Sequence, residues 1–310
     1  MRAVILTALN TEYSAVQAHL SDLLEYTYKG TIYEVGKFSA NGRSWDTAIA
    51  EIGPLNENAS QEAERAINHF DPSVALFVGV AGGLKNVRIG DVVAATKIYG
   101  YESGKAEFEF LTRPEVYRSS YSIEQRARAV ARRKVWAKRI KPFAPNSTPG
   151  TFIAPIAAGS KVVASTKSWI YNFIRSNYSD ALAVEMEGLG FLSAAHANSD
   201  VEALVIRGIS DLIDNKEEAD IQGSQNLASQ NAAAFAFEIL ANHGPIDPSP
   251  RGLYQEDLPP GLQLPSLGEI LPAGRNSSTL QSVDGLADTL SGALGRRSGR
   301  SGRPRKRRPP

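Results

Sequence analysis

Seven consecutive residues, Val74 to Val80 (VALFVGV), carry no polar side chain. A half-exposed strand alternates polar and apolar positions, so an unbroken apolar run of this length after the break Asp71-Pro72 predicts a strand covered on both faces. Similar runs recur at Ala3 to Ala8 (AVILTA), Ile89 to Ala95 (IGDVVAA), Phe152 to Ala158, Leu182 to Val184 and Val201 to Ile209 (VEALVIRGI). Helical spacing fills the gaps. It is expected over Glu12 to Leu24, with Tyr13, Val16, Leu20 and Leu23 on one face, then over Asn58 to Phe70 and the arginine-rich Ser122 to Ile140. Further helices are expected over Thr166 to Arg175, Met186 to Ala197 and Ser224 to Leu240, while Thr31 to Ile52 reads as two strands joined by an Asn41-Gly42 turn. Strands alternating with helices predict one layered α/β domain, and no solenoid period is visible.

That domain is expected over residues 1–241. From 242 to 310 the chain is rich in Pro, Gly and Ser, holding 10 of the 17 prolines, and has too little apolar surface to offset the entropy of ordering it. A disordered tail is therefore expected, in which Thr279 to Leu294 could form a short amphipathic helix weakened by Gly285 and Gly292. Charge separates the two parts. Residues 1–240 carry 24 basic and 27 acidic side chains against 10 and 6 in the remainder, and Arg296 to Arg308 holds eight basic residues. The body thus lacks the excess of positive charge that nucleic-acid binding needs, and weak polyanion contact, if any, belongs to the tail.

With no cysteine, the chain has no disulfide, no thiolate zinc site and no cysteine nucleophile, and its four histidines are scattered. Neither metal nor cofactor is expected. The first apolar run is too short, and too soon followed by Glu12, for a signal peptide, and no 18-residue apolar stretch exists to span a membrane. A cytoplasmic location is the expectation.

Three places invite chemistry. Glu12 lies just beyond the first strand, at the edge where open α/β sheets place ligands, although a carboxylate in the first turn of a helix is also explained by the exposed amides there. Gly79-Val80-Ala81-Gly82-Gly83 follows a buried strand and could bring backbone amides against a ligand, but it matches neither a dinucleotide nor a Walker loop. Ala183-Val184-Glu185-Met186-Glu187 sets two carboxylates around a methionine at a strand-to-helix boundary, and Ser210-Asp211 follows a long apolar strand. One sheet could deliver Glu12, Glu187 and Asp211 to the same edge. With no basic cluster between them, they suit acid-base work on a sugar or a base better than phosphoryl transfer.

The pieces VILTALNTEY, VGVAGGLKNVRIGDVV, ALAVEMEG and VIRGISD, in this order, resemble the superfamily of purine nucleoside phosphorylases and methylthioadenosine/adenosylhomocysteine nucleosidases over roughly residues 2–240. The resemblance implies a three-layer α/β/α sandwich around a mixed, partly barrel-like sheet, assembled as a homodimer or higher homo-oligomer, that cleaves a nucleoside's N-glycosidic bond. It implies Glu12 as the carboxylate binding the attacking water, Met186 under the ribose and Glu187 on the ribose hydroxyls. Asp211 would protonate purine N7, oriented by Ser210, and Gly82 would lie against the substrate.

Family phosphorylases place an arginine in or beside the strand leading to the glycine turn and a serine or threonine within it. Here Leu76 to Val80 is apolar throughout, which favours water over phosphate as nucleophile. Aspartate at 211 implies a 6-aminopurine, because a carboxylic acid can donate to N7 and accept from the amino group. Where the nucleosidase pattern stacks an aromatic ring on the base, this chain has Lys161 and Val162. The polar run Asp214 to Glu218, with Lys105, Arg113, Arg118, Arg126 and Arg128, resembles antiphage effector members that strip adenine from ATP. The main expectation is hydrolysis of an adenine nucleotide (ATP or AMP) or nucleoside, with Lys161, Lys105 and Arg113 near the substrate. The alternatives are a methylthioadenosine/adenosylhomocysteine nucleosidase, a purine phosphorylase, and a non-enzymatic nucleotide-sensing module with a regulatory protein partner.

Overall fold

A computed structural model describes residues 1–142, 148–214 and 223–245. In chain order the strands are β1 (Arg2–Thr7), β2 (Ser21–Tyr28), β3 (Thr31–Ala40), β4 (Arg43–Glu51), β5 (Val74–Gly83), β6 (Val92–Gly100), β7 (Gly104–Ala106), β8 (Phe110–Thr112), β9 (Glu115–Arg118), β10 (Thr151–Ala158), β11 (Ala183–Glu185) and β12 (Glu202–Asp211). The helices are α1 (Asn10–Gln17), α2 (Asn56–Phe70), α3 (Tyr121–Arg133), α4 (Trp169–Asn177), α5 (Gly188–Ala197) and α6 (Ser224–Asn242). The expected tail from 246 on, its Thr279 to Leu294 helix and the Asn215 to Glu218 run lie outside the described residues.

Every apolar run became a strand of one ten-stranded sheet, ordered β11-β10-β6-β12-β5-β1-β4-β3-β2 with β9 beside β6. β1, β4, β5 and β12 run parallel, while β12 pairs antiparallel with β6. A further antiparallel contact between β11 and β5, at Ala183–Gly83 and Val184–Gly82, closes β5, β12, β6, β10 and β11 into a ring. The sheet is therefore mixed and barrel-like on one side, as the resemblance implies. One face buries Ile5, Leu76, Val78 and Ile206 against α1, α3 and α6, and the other buries Leu6, Phe77 and Val205 against α2 and α5. Because both faces are covered, the strands need no polar alternation.

Boundaries moved where local geometry overrode spacing. The first helix stops at Gln17 rather than Leu24, because Leu23 and Leu24 pass into β2, which pairs with β3. Asn41 and Gly42 both have positive φ (51° and 68°) and turn β3 into β4. The long third helix breaks at Lys134, whose φ of 55° separates α3 from a 3-10 turn over Val135–Arg139. The strand expected from Ile89 begins at Val92, after a turn in which Gly90 has φ 87°. Ser210 and Asp211 are the last residues of β12 and not its sequel. No described helix is long and apolar enough to cross a membrane.

The last helix passes residue 241. Trp45 donates its indole N–H to Leu240 O at 3.0 Å, Arg43 reaches Ala241 O at 3.3 Å and Gly244 O at 3.1 Å, and buried His243 lies 2.7 Å from Glu202. A chain ending at Pro245 is expected to melt at the full-length temperature, whereas one ending at Leu240 should melt lower because Arg43 loses two acceptors. Calorimetry showing equal melting of the two truncations would contradict this placement.

Candidate active site

Glu12 is built into the start of α1. Its Oε2 accepts the backbone N–H groups of Ala8 (2.8 Å) and Leu9 (3.0 Å), and its Oε1 accepts Val80 N–H at 2.8 Å from β5. It therefore fastens the helix start and also joins two strand ends. Burial is the largest influence on it and raises its pKa above the carboxylate range, against the lowering pull of Arg207 and the three amides.

Arg207 is the centre of this region. It sits in the middle of β12, wholly buried, and β-pairing puts it opposite Gly79. A Cβ at Gly79 would overlap both Arg207 Nη1 and the Glu12 carboxylate, so only glycine leaves room for the two to approach each other. Arg207 Nη2 pairs with Glu185 and, at 3.0 Å, with Glu187 Oε2, while Phe77 lies 4.6 Å from the guanidinium. Burial would lower its pKa, but the three carboxylates raise it above its ordinary value, which keeps it charged. Its Nε and Nη1 have no partner among the described residues.

Glu185 and Glu187 follow from the short β11. Glu185 accepts N–H groups from Glu187 (3.0 Å) and Gly188 (2.8 Å), holding the first turn of α5. Glu187 accepts Leu55 N–H at 3.3 Å and is pushed up to about 7, first by burial, with Glu185 and Glu12 adding to the shift and Arg207 opposing it.

Asp211 is aimed by a bulge. The β12–β5 register is regular to Ile209–Ala81, then shifts so that Asp211 stands opposite Gly82, leaving Ser210 as the extra residue. Ser210 Oγ lies 3.0 Å from Asp211 Oδ2, and Ile213 N–H donates to Oδ1 at 3.0 Å. A side chain at Gly82 would press on Asp211 Oδ1 at 3.2 Å and on Ile213 at 2.9 Å.

Except for Arg207, which lies behind them, these groups line one cavity of about 300 Å³. Glu12, Glu185, Glu187, Ser210 and Asp211 supply its polar wall, and Ala8, Leu9, Pro54, Val80, Ala81, Val163, Val184 and Met186 its apolar wall, with Gly82, Lys161 and Val162 completing it. Of the residues singled out in the sequence, Glu12, Gly82, Lys161, Val162, Met186, Glu187, Ser210 and Asp211 thus come together. Lys105 and Arg113 do not line it. Lys105 belongs to the separate β7–β8 ribbon, where it pairs with Glu107, and exposed Arg113 follows that ribbon. Lys161 is itself paired with Glu102, which also accepts Ser160 N–H at 2.7 Å. Arg207 and the role of Glu185 escaped the sequence reading, although a lone arginine inside VEALVIRGI is the signal that could have exposed them. No cluster of three or more metal-ligating side chains occurs among the described residues.

The sequence pattern of the Phosphorylase superfamily matches residues 2–241. An ATP nucleosidase of Escherichia coli is 27% identical over 240 residues, which are 68% of this chain and 46% of the relative, so the chain spans about half that relative's length. A 5'-methylthioadenosine/S-adenosylhomocysteine nucleosidase of Listeria monocytogenes is 22% identical over 246 residues, covering 76% of this chain and 97% of its own. Among solved structures, the 5'-methylthioadenosine/S-adenosylhomocysteine nucleosidase of Neisseria meningitidis with methylthio-immucillin-A superposes with a TM-score of 0.65 at 21% identity, covering 78% and 99% of the two chains. That last likeness shows the fold.

The raised Glu187 gives a test. The folded protein keeps a proton that the unfolded chain releases, so the stabilisation is complete below the ordinary carboxylate range and is lost as pH rises through about 7. The melting temperature should therefore fall across that interval, and Glu187→Gln should flatten the fall. An unchanged slope in the variant would contradict the burial of this carboxyl.

Proposed function

We propose that this chain, which belongs to the Phosphorylase superfamily, is a nucleosidase that hydrolyses the N-glycosidic bond of an adenine nucleoside. The observation that carries this reading is the convergence of Glu12, Glu187 and Asp211 from three separate elements on one cavity whose only lining cation among the described residues, Lys161, is already paired. As the C1′–N9 bond breaks, the purine leaves with the bonding electrons and needs a proton, which Asp211 supplies at N7, while its other oxygen faces the 6-amino group. Positive charge then grows on the sugar. A water held by Glu12 attacks C1′ and yields its proton to Glu12, whose raised pKa suits a base. Glu187 accepts the ribose hydroxyls and Met186 packs beneath the ring. The products are adenine and a free reducing sugar.

Water is favoured over phosphate because an anion at the nucleophile position would face the Glu12 carboxylate and the apolar Val80, with no free cation lining the cavity among the described residues. The geometry supports an apolar 5′ substituent, as in methylthioadenosine, since apolar residues form much of the wall and Lys105 and Arg113 stand apart from it. A nucleotide substrate is the second reading, favoured by the 27% identity to an ATP nucleosidase. Comparing kcat/KM for methylthioadenosine, adenosine, AMP and ATP decides between them. The first reading predicts the highest value for methylthioadenosine and little response to Lys161→Gln, and a preference for ATP that Lys161→Gln abolishes would overturn it.

The residue roles have their own test. Asp211→Asn should slow adenine release by roughly 10²-fold or more, yet spare a p-nitrophenyl riboside with the same 5′ group, whose leaving group needs no proton. Glu12→Gln should slow both. Equal small effects on both substrates, with circular dichroism unchanged, would refute the assignment.

A further inference from the structure

A second cavity, of about 670 Å³, shares no lining residue with the first. It lies where the turn after α1, the strand β3 and the end of the 3-10 turn with the chain following it meet. Lys37, Lys138 and Lys141 converge on it from these segments, and none of the three has a carboxylate within ion-pair distance among the described residues. Lys141 donates to Ala18 O at 2.7 Å, which also neutralises a carbonyl at the end of α1 that would repel an anion. Arg139, the fourth cation, is balanced by Glu238.

The cavity also has an aromatic side. His19 stacks on Phe237 at 4.5 Å between ring centres, Phe38 meets Phe237 edge-on at 4.8 Å, and Arg139 lies 5.6 Å from the Phe38 ring. The hydroxyls of Ser21 and Ser39 are on the lining as well. Burial pushes the His19 pKa down to about 3, with the repulsion of Lys141 and Arg139 adding to it. Three ammonium groups with no carboxylate partner among the described residues around one concave surface make a local positive field that favours an anion.

We propose that this cavity binds a small oligophosphate, with its phosphate groups on Lys37, Lys138 and Lys141, at a site separate from the catalytic one. The volume is within the range of small-ligand sites, and lysines act as point charges toward phosphate without demanding one geometry. The body as a whole has more acidic than basic residues, so the positive field is local and suits a compact polyanion better than an extended one.

The test is calorimetric titration of the full chain with inorganic tripolyphosphate at low salt, which leaves the nucleoside specificity of the first cavity out of the measurement. The wild type should bind, with affinity falling as salt is added. The combined variant Lys37→Gln, Lys138→Gln, Lys141→Gln should lose at least tenfold in affinity while keeping adenine release unchanged, and Lys161→Gln, at the other cavity, should bind as the wild type does. Equal affinity in the triple variant, loss of binding in Lys161→Gln, or no binding by a wild type of intact circular dichroism would each overturn the proposal. Tighter binding of a duplex oligonucleotide than of tripolyphosphate, lost in the same triple variant, would also overturn it in favour of a nucleic-acid surface.

Discussion

A guanidinium buried in the middle of a strand is the constraint on which the site depends. Leaving such a charge unpaired would cost several kcal/mol, so Arg207 requires carboxylates around it, and Glu185, Glu187 and Glu12 are where that requirement is met. Each comes from a different local device: Glu185 holds the first turn of α5, Glu187 begins that turn, and Glu12 fastens the start of α1. The cluster thus ties two helices to the central strands. Gly79 makes it possible, since any side chain there would occupy the space in which Arg207 and Glu12 face each other.

The same arrangement links folding to chemistry. Burial raises the protonation tendency of Glu12 and Glu187, Glu185 and Glu12 add to the shift of Glu187, and Arg207 limits both shifts by opposing them. A base must be deprotonated yet willing to take a proton, and a buried carboxylate beside a permanent cation satisfies both demands. Asp211 is set apart by the bulge at Ser210, which turns the strand end and separates the acid from the carboxylate cluster in register. Glu12 therefore reaches the cavity from α1, tied to β5 through Val80, and Asp211 from the end of β12, while the closure of β11 onto β5 brings Met186 and Glu187 to it.

Much of this was legible in the sequence, for physical reasons that also explain what was not. Doubly covered strands carry few polar side chains, so Val74 to Val80 and Val201 to Ile209 declared themselves, and Glu12, Glu187 and Asp211 stood out as charges just beyond β1, just beyond β11 and at the end of β12. Glu12 admitted two readings, a helix-start carboxylate and a site residue; its amide bonds bear out the first, and its place on the cavity wall is what the second rests on. Arg207 was hidden because pairing between strands, which sets it opposite Gly79, leaves no mark in local spacing. Leu23 and Leu24 fitted a helix as well as a strand until β3 claimed them. Lys105 and Arg113 show that charge near a motif in sequence does not imply charge near it in space, because the β7–β8 ribbon carries Lys105 away.

The central claim of the proposed function is that water, oriented by Glu12, takes the place that phosphate occupies in phosphorolysis. It is tested most directly by a product balance on methylthioadenosine in phosphate buffer, with adenine measured by absorbance, reducing sugar by oxidation and phosphate esters by phosphorus NMR. The account predicts one free methylthioribose for each adenine, a rate independent of phosphate, and no new ester. A methylthioribose 1-phosphate appearing in step with adenine would contradict it.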